Sequence, residues 1–181
     1  MNDFRPVLYV VGVLLSITSF GMIIPMIVDF INHNQDWQVF LFSGVFTFFI
    51  GIVFIFSIKE EVKKISLRQA FLLTVLSWIA VSLFSSIPFM YSESQLSFTD
   101  AFFESISGVT TTGATVISGL DSLPKGILLW RSMLQWFGGI GIIVLALSIL
   151  PMLQVGGMQL LHLESDDPYE KTSPKIAKFI Y

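Results

Sequence analysis

The sequence has no cysteine and two histidines among its 181 residues. Disulfides, thiolate zinc sites and cysteine nucleophiles are therefore excluded. His33 and His162 fall in separate polar segments, without metal-ligand spacing. Charge is equally scarce. Ten basic and 13 acidic residues make up 13% of the chain, for a net of −3, against about 25% charged in an ordinary soluble domain. A weakly acidic balance without a long basic run excludes a nucleic-acid groove. No Ser/His/Asp set or paired carboxylates are visible, so the sequence does not read as an enzyme and calls for no cofactor.

What the chain has instead is apolar length. Charges are absent from Pro6–Val28 (23 residues), Val39–Ile58 (20), Gln69–Ser92 (24) and Ser132–Leu163 (32). A helix crosses the ~30 Å hydrocarbon core in about 20 residues. Four such runs predict a polytopic membrane protein. Lipid offers backbone groups no partner, so spans must be helical or barrel-like, and continuous apolar runs rather than alternation select helices. The first run is too long for a cleaved signal core and lacks a small-x-small site, which makes it a retained anchor.

The polar breaks alternate in character. Segment 32–36 and segment 92–100 contain no Lys or Arg, whereas 59–68 contains four and the tail carries Lys171, Lys175 and Lys178. The positive-inside rule places 59–68 and the tail in the cytoplasm, 32–36 outside, and both termini inside. Trp37, Trp78, Trp130, Trp136, Tyr9 and Tyr91 mostly lie near span ends, as interfacial rings do; Trp78 sits deeper and reads as packing. Pro88 and Pro151 should end or kink their spans.

This path leaves 93–130 outside, between the third and fourth spans. Ser97-Phe98-Thr99-Asp100 resembles a capping box, and Ala101–Ile106 reads as a short helix ended by Gly108. An uncharged hydroxyl-rich stretch comes next, Val109-Thr110-Thr111-Thr112-Gly113-Ala114-Thr115-Val116-Ile117. A helix too short to span, leading into a Thr/Gly strand between two spans, predicts a re-entrant pore loop. Non-helical backbone at membrane depth is tolerated where protein or a watery cavity receives its polar groups. A dehydrated cation needs oxygen ligands, which rings of backbone carbonyls supply. Glycine gives such a strand its backbone freedom, and the preceding helix would aim its negative carbonyl end at the cation path. No acidic side chain sits in the strand, which suits a monovalent ion.

Thr99-Asp100-Ala101-Phe102-Phe103-Glu104-Ser105 leading to Gly108–Thr115 resembles the first pore loop of the Trk-type potassium uptake proteins, the TrkH/TrkG membrane subunits. Gly119-Leu120-Asp121-Ser122-Leu123-Pro124, Met133–Ala146, Ile149-Leu150-Pro151 and Val155–Leu160 are similar to that family's next segment. The resemblance implies a K⁺-conducting subunit of the bacterial inner membrane with Gly113 as filter glycine. Main-chain carbonyls of Thr111, Thr112 and Gly113, with Thr110 and Ala114 beside them, would line the path. It also implies a homodimer of the full-length protein and a cytoplasmic nucleotide-binding regulatory subunit.

The expected organisation is a leading transmembrane hairpin with a basic cytoplasmic loop (1–68), a span–pore helix–filter–span repeat (69–155) and a cytoplasmic tail leading toward a further repeat (156–181). The fold class is all-α, four transmembrane helices plus one re-entrant pore helix and filter loop. Members of the family carry four such repeats, and one quarter of a filter cannot enclose an ion. The tail Lys175–Tyr181 looks like a run-in to another span, so an N-terminal portion of a longer transporter is the preferred expectation. A homotetrameric channel and a non-conducting scaffold or assembly protein are the alternatives.

The remaining residues have plainer readings. Gly138, Gly139 and Gly141 lack the third glycine of a nucleotide fingerprint and lie in an apolar run; close helix packing suits them, around a pore or elsewhere. Glu104 is a carboxylate at membrane depth, a candidate for drawing in cations or, preferentially, for bonding the loop backbone. Arg131 is read as a snorkelling anchor and Asp29 as a boundary residue. Asp166, Asp167 and Glu170 read as a solvated acidic patch.

Overall fold

The computed structural model describes residues 4–57 and 67–149. The basic 59–66 segment, Pro151, the acidic patch and the tail lie outside them. Among the described residues there is no strand. Helix α1 (Arg5–Gly21) continues almost directly into α2 (Ile23–Ile31), followed by α3 (Trp37–Phe56), α4 (Leu67–Ser85), α5 (Ile87–Tyr91), α6 (Phe98–Val109) and α7 (Lys125–Ile149). Four helical stretches are long and apolar enough to cross a membrane: Arg5–Ile31, Trp37–Phe56, Arg68–Tyr91 and Lys125–Leu147. The protein is an integral membrane protein with the four predicted spans.

Two spans are interrupted, each just before a proline. Pro25 cannot donate to the Gly21 carbonyl, and α1 gives way to α2 at Met22; Pro88 cannot donate to Phe84, and α4 gives way to α5 at Ser86. The second break is used. Buried Trp130 of α7 donates its indole N–H to the Ser85 carbonyl at 3.1 Å. Trp130 is thus a core residue beside Phe40, Phe89, Ile127 and Leu134 rather than an interfacial ring, and Trp78 packs against that core.

Close helix contact rests on small residues. Helix α1 packs against α3 and α4, α2 against α3, and α4 against α6. A Cβ on Gly12 would stand 2.7 Å from the Gly51 carbonyl oxygen, and one on Gly51 would stand 2.8 Å from that of Gly12. Further along the same helix pair, the Ser19 hydroxyl donates to the Gly44 carbonyl at 3.0 Å. Apolar bulk cannot drive helices together in lipid, so backbone proximity and hydrogen bonds do.

Three connections meet at one end of the bundle. Both Asp36 carboxylate oxygens accept the Glu93 backbone N–H at 3.1 Å, the Asn34 amide donates to Glu93 Oε2 at 3.4 Å, and Lys125 Nζ donates to Asn32 Oδ1 at 2.9 Å. Burial, with a smaller push from the Glu93 charge, raises the Asp36 carboxyl above its ordinary value, and the Glu93 N–H opposes the rise. Asp29, close to the end of the first span, has a further role there. It is fully buried, and its Oδ1 accepts the Gly126 N–H in the first turn of α7 at 2.7 Å. A carboxylate there answers an otherwise orphaned helix donor. Gly126 has no room for a side chain, because a Cβ would overlap that carboxylate. Asp29→Ala is therefore expected to cost about 1–3 kcal/mol by stranding a buried donor. Asp29→Asn, which keeps the acceptor, should cost less than half as much. Thermal unfolding of the two variants in detergent checks the order.

Candidate functional site

Helix α6 starts with the N-cap half of the expected capping box. Ser97 Oγ accepts the Asp100 N–H at 3.2 Å and donates to Asp100 Oδ2 at 2.7 Å. Twelve residues long, α6 is well short of a span. It runs through Gly108 to Val109 instead of stopping at the glycine. The reason is packing: a Cβ on Gly108 would be 3.0 Å from Leu134 Cβ, so this glycine lets α7 approach the helix. Gly138, one turn beyond Leu134 on α7, lies against the Val109 carbonyl, which a Cβ there would overlap. By contrast, nothing stands within 4 Å of a Cβ on Gly139 or Gly141. The three mid-helix glycines of α7 thus divide, Gly138 serving close packing at the loop and Gly139 and Gly141 facing open space.

The helix ends in a tight cap. Thr111 donates its N–H to the Gly108 carbonyl at 2.9 Å, and Thr112 donates to Ser107 at 3.0 Å. These are the two bonds of a Schellman motif, whose left-handed position is usually glycine. Here it is Thr111, at φ 60°. A β-branched residue in that region is strained by about 1–3 kcal/mol. Thr110 is not extended either, with φ −79° and ψ 1°. The expected extended strand is therefore helix end and cap over its first three residues, Val109 to Thr111.

Several side chains hold this conformation. Thr110 Oγ1 donates to the Ile106 carbonyl at 2.7 Å and lies 2.9 Å from Thr112 Oγ1. Gly113 comes next at φ 74°, free for glycine, and its N–H reaches the Ser107 carbonyl at 3.3 Å. Ser107 also donates its hydroxyl to the Ala114 carbonyl at 2.7 Å. Buried Glu104 takes the next section: Oε1 accepts the Thr115 hydroxyl and the Val116 N–H, both at 2.6 Å. Its other oxygen accepts Arg131 Nε at 2.9 Å. Arg131 is accordingly a partner of the loop's carboxylate, not a snorkelling anchor, and Glu104 bonds the loop backbone as expected.

The last-turn carbonyls of Ile106, Ser107 and Gly108 are thus occupied by loop donors rather than left bare toward a path. Residues 110–116 are all exposed on one side of this platform. The loop presents no charge there, and its amide and hydroxyl donors are largely spent on the helix behind it. What remains to offer is carbonyl oxygen. Among the described residues no group of three His, Asp or Glu side chains could hold a metal ion.

The family of the TrkH cation transport protein matches residues 36–177. This chain belongs to that family. It is 46% identical over 178 residues to the Trk system potassium uptake protein TrkH of Escherichia coli K12, covering 97% of this chain and 37% of the relative. It is 38% identical over 176 residues to TrkG of the same organism, covering 96% and 36%. The crystal structure of the potassium transporter TrkH from Vibrio parahaemolyticus superposes with a TM-score of 0.77 at 40% identity, over 99% of this chain and 37% of that one. The chain spans little more than a third of the length of the TrkH-family relatives it matches.

Sequence reading misses Arg131, Ser107 and Gly138 as supports of the loop. Arg131 is 27 residues from Glu104, and no local pattern announces such a pair; an arginine inside an otherwise apolar helix is the available signal. Gly138→Ala is expected to force the α6 end and α7 apart and to destabilise the chain by about 1–3 kcal/mol. Gly139→Ala should be neutral or slightly stabilising. Thermal unfolding of the detergent-solubilised 181-residue chain distinguishes them.

Proposed function

We propose that this chain supplies the leading helix pair and one wall of a potassium-conducting path in a Trk-type uptake protein. Backbone carbonyls of Thr111, Thr112 and Gly113, flanked by Thr110 and Ala114, serve as the ion-facing ligands. The observation that carries this reading is the exposed, uncharged 110–116 loop, held by its donors against a short capped helix within a chain of the TrkH family. Carbonyl oxygens in number replace the water a monovalent cation sheds, without the tight hold of carboxylates. The Ala114 carbonyl already accepts one hydrogen bond, and a second lone pair is left for an ion. No resident cofactor enters this chemistry; potassium is the cargo.

The same exposure means that other walls are needed. In this reading further repeats of one longer transporter supply them, set in the inner membrane with both termini of this chain cytoplasmic; that the chain covers 37% of its TrkH relative leaves length for them. A homodimer and a cytoplasmic nucleotide-binding regulatory subunit meeting the inner connections complete the proposed assembly, with lipid around the apolar faces. A homotetramer of this chain, and a scaffold that moves no ion, are the competing readings.

Gly113→Ser in the full-length protein is expected to lower the preference for K⁺ over Na⁺ by about tenfold or more, because a side chain is strained at positive φ. Uptake measured with both ions in cells lacking their own potassium systems tests it, and an unchanged preference would remove the filter assignment. In the same cells, residues 1–181 alone should not restore growth at low potassium; rescue would favour the homotetramer.

A further inference from the structure

We propose that Glu104 and Arg131 form a charged strut that sets the filter's geometry, making Glu104 a positioning residue for ion selectivity rather than a cation-attracting one. The inference rests on the filter reading above and extends it to residues that touch no ion.

Donor and acceptor counts fix the role of this pair. Glu104 lies in the buried face of α6, with its side chain shut off from solvent and that of Arg131 16% exposed. Each group bonded to the carboxylate is a donor. On one oxygen stand the Thr115 hydroxyl and the Val116 N–H; on the other stands Arg131 Nε. A carboxylate, with two acceptor oxygens and no hydrogen, answers all three at once. Its charge is neutralised by the guanidinium, so it has little left with which to attract a passing cation. The Thr115 hydroxyl, oriented by the hydrogen bond it donates to Glu104, accepts the Ile117 N–H at 3.0 Å. The strut thus fixes three consecutive residues immediately after the proposed ligands, while Ser107 fixes the ligands themselves. Its far end is anchored in α7, within one turn of Leu134, where that helix meets Gly108.

The near-isostere glutamine cannot do this. Its amide has one acceptor and one donor end. With the oxygen toward the loop, the NH₂ opposes Arg131 Nε–H; turned around, it opposes Thr115 and Val116. Either way a buried donor is left unpaired, beside a cation that has lost its counter-charge. Replacing Arg131 by glutamine as well removes the conflict. A glutamine at position 104 then keeps its oxygen on the loop and donates its NH₂ to the new side-chain oxygen at position 131, a neutral chain free of the donor–donor conflict.

The experiment uses the full-length protein in potassium-uptake-deficient bacteria, with membrane amounts measured by immunoblot and K⁺ uptake assayed against rising Na⁺. Glu104→Gln is expected to reduce the K⁺ over Na⁺ preference about tenfold, the scale of one lost charge-assisted hydrogen bond. The double variant Glu104→Gln/Arg131→Gln should return to within about threefold of the parent, since its network is satisfied again. Parental preference in Glu104→Gln, or a double variant no better than the single one, overturns the proposal. Should Glu104→Gln fail to reach the membrane, Thr115→Val decides: it deletes one strut contact, and an unchanged preference overturns the proposal equally. Gly113→Ser separates the two levels. A shift there with none in the Glu104 and Thr115 variants defeats the strut alone; no shift there defeats the filter reading itself.

Discussion

Backbone that leaves the helix inside a membrane must find partners for its own amides, because lipid supplies none. Of residues 110–117, five meet that demand from the helix before them. Ile106, Gly108 and Ser107 take the N–H groups of Thr110, Thr111, Thr112 and Gly113, and Glu104 takes that of Val116. Because the donors turn inward, the exposed side of the loop is left with uncharged oxygen. The chemical character of the site is therefore a by-product of satisfying its backbone. Strain at Thr111 is tolerated within this arrangement, since two cap bonds and the neighbouring hydroxyls over-determine its conformation.

The platform behind the loop depends on small residues in the same way. Gly12 with Gly51, Ser19 with Gly44, Gly108 with Leu134 and Gly138 with Val109 each bring main chain to within contact of a neighbouring helix. Once the helices are this close, Trp130 reaches the carbonyl exposed at the α4–α5 break, and Asp29 reaches the start of α7. Helix α2 is thereby joined to α7 by a buried carboxylate as well as by side-chain packing.

Legibility in the sequence divides by range. The four spans are legible because a lipid environment demands about 20 apolar residues in succession. The α6 start is legible because Ser97 and Asp100 are three positions apart, a local geometry. Gly113 can be singled out as the residue free to take positive φ. Contacts across the fold cannot. Asp29 meets Gly126 across 97 residues and Glu104 meets Arg131 across 27, and both Asp29 and Arg131 look in sequence like ordinary membrane-boundary charges. Thr111 misleads for a different reason: a threonine triplet suggests extended backbone, and only the surrounding hydrogen bonds place it in a left-handed cap. Trp130 resembles an interfacial ring because span-end position says nothing about which way a helix face turns.

The seam between Gly138 and the Val109 carbonyl has a mechanical side. Where a side chain lies in the contact, as Leu134 does at Gly108, it can change rotamer when a helix slides. At this point there is none, and main chain bears directly on main chain. A lateral displacement of α7 would pass undamped into the base of the oxygen-bearing loop, in the manner of a gear tooth without backlash.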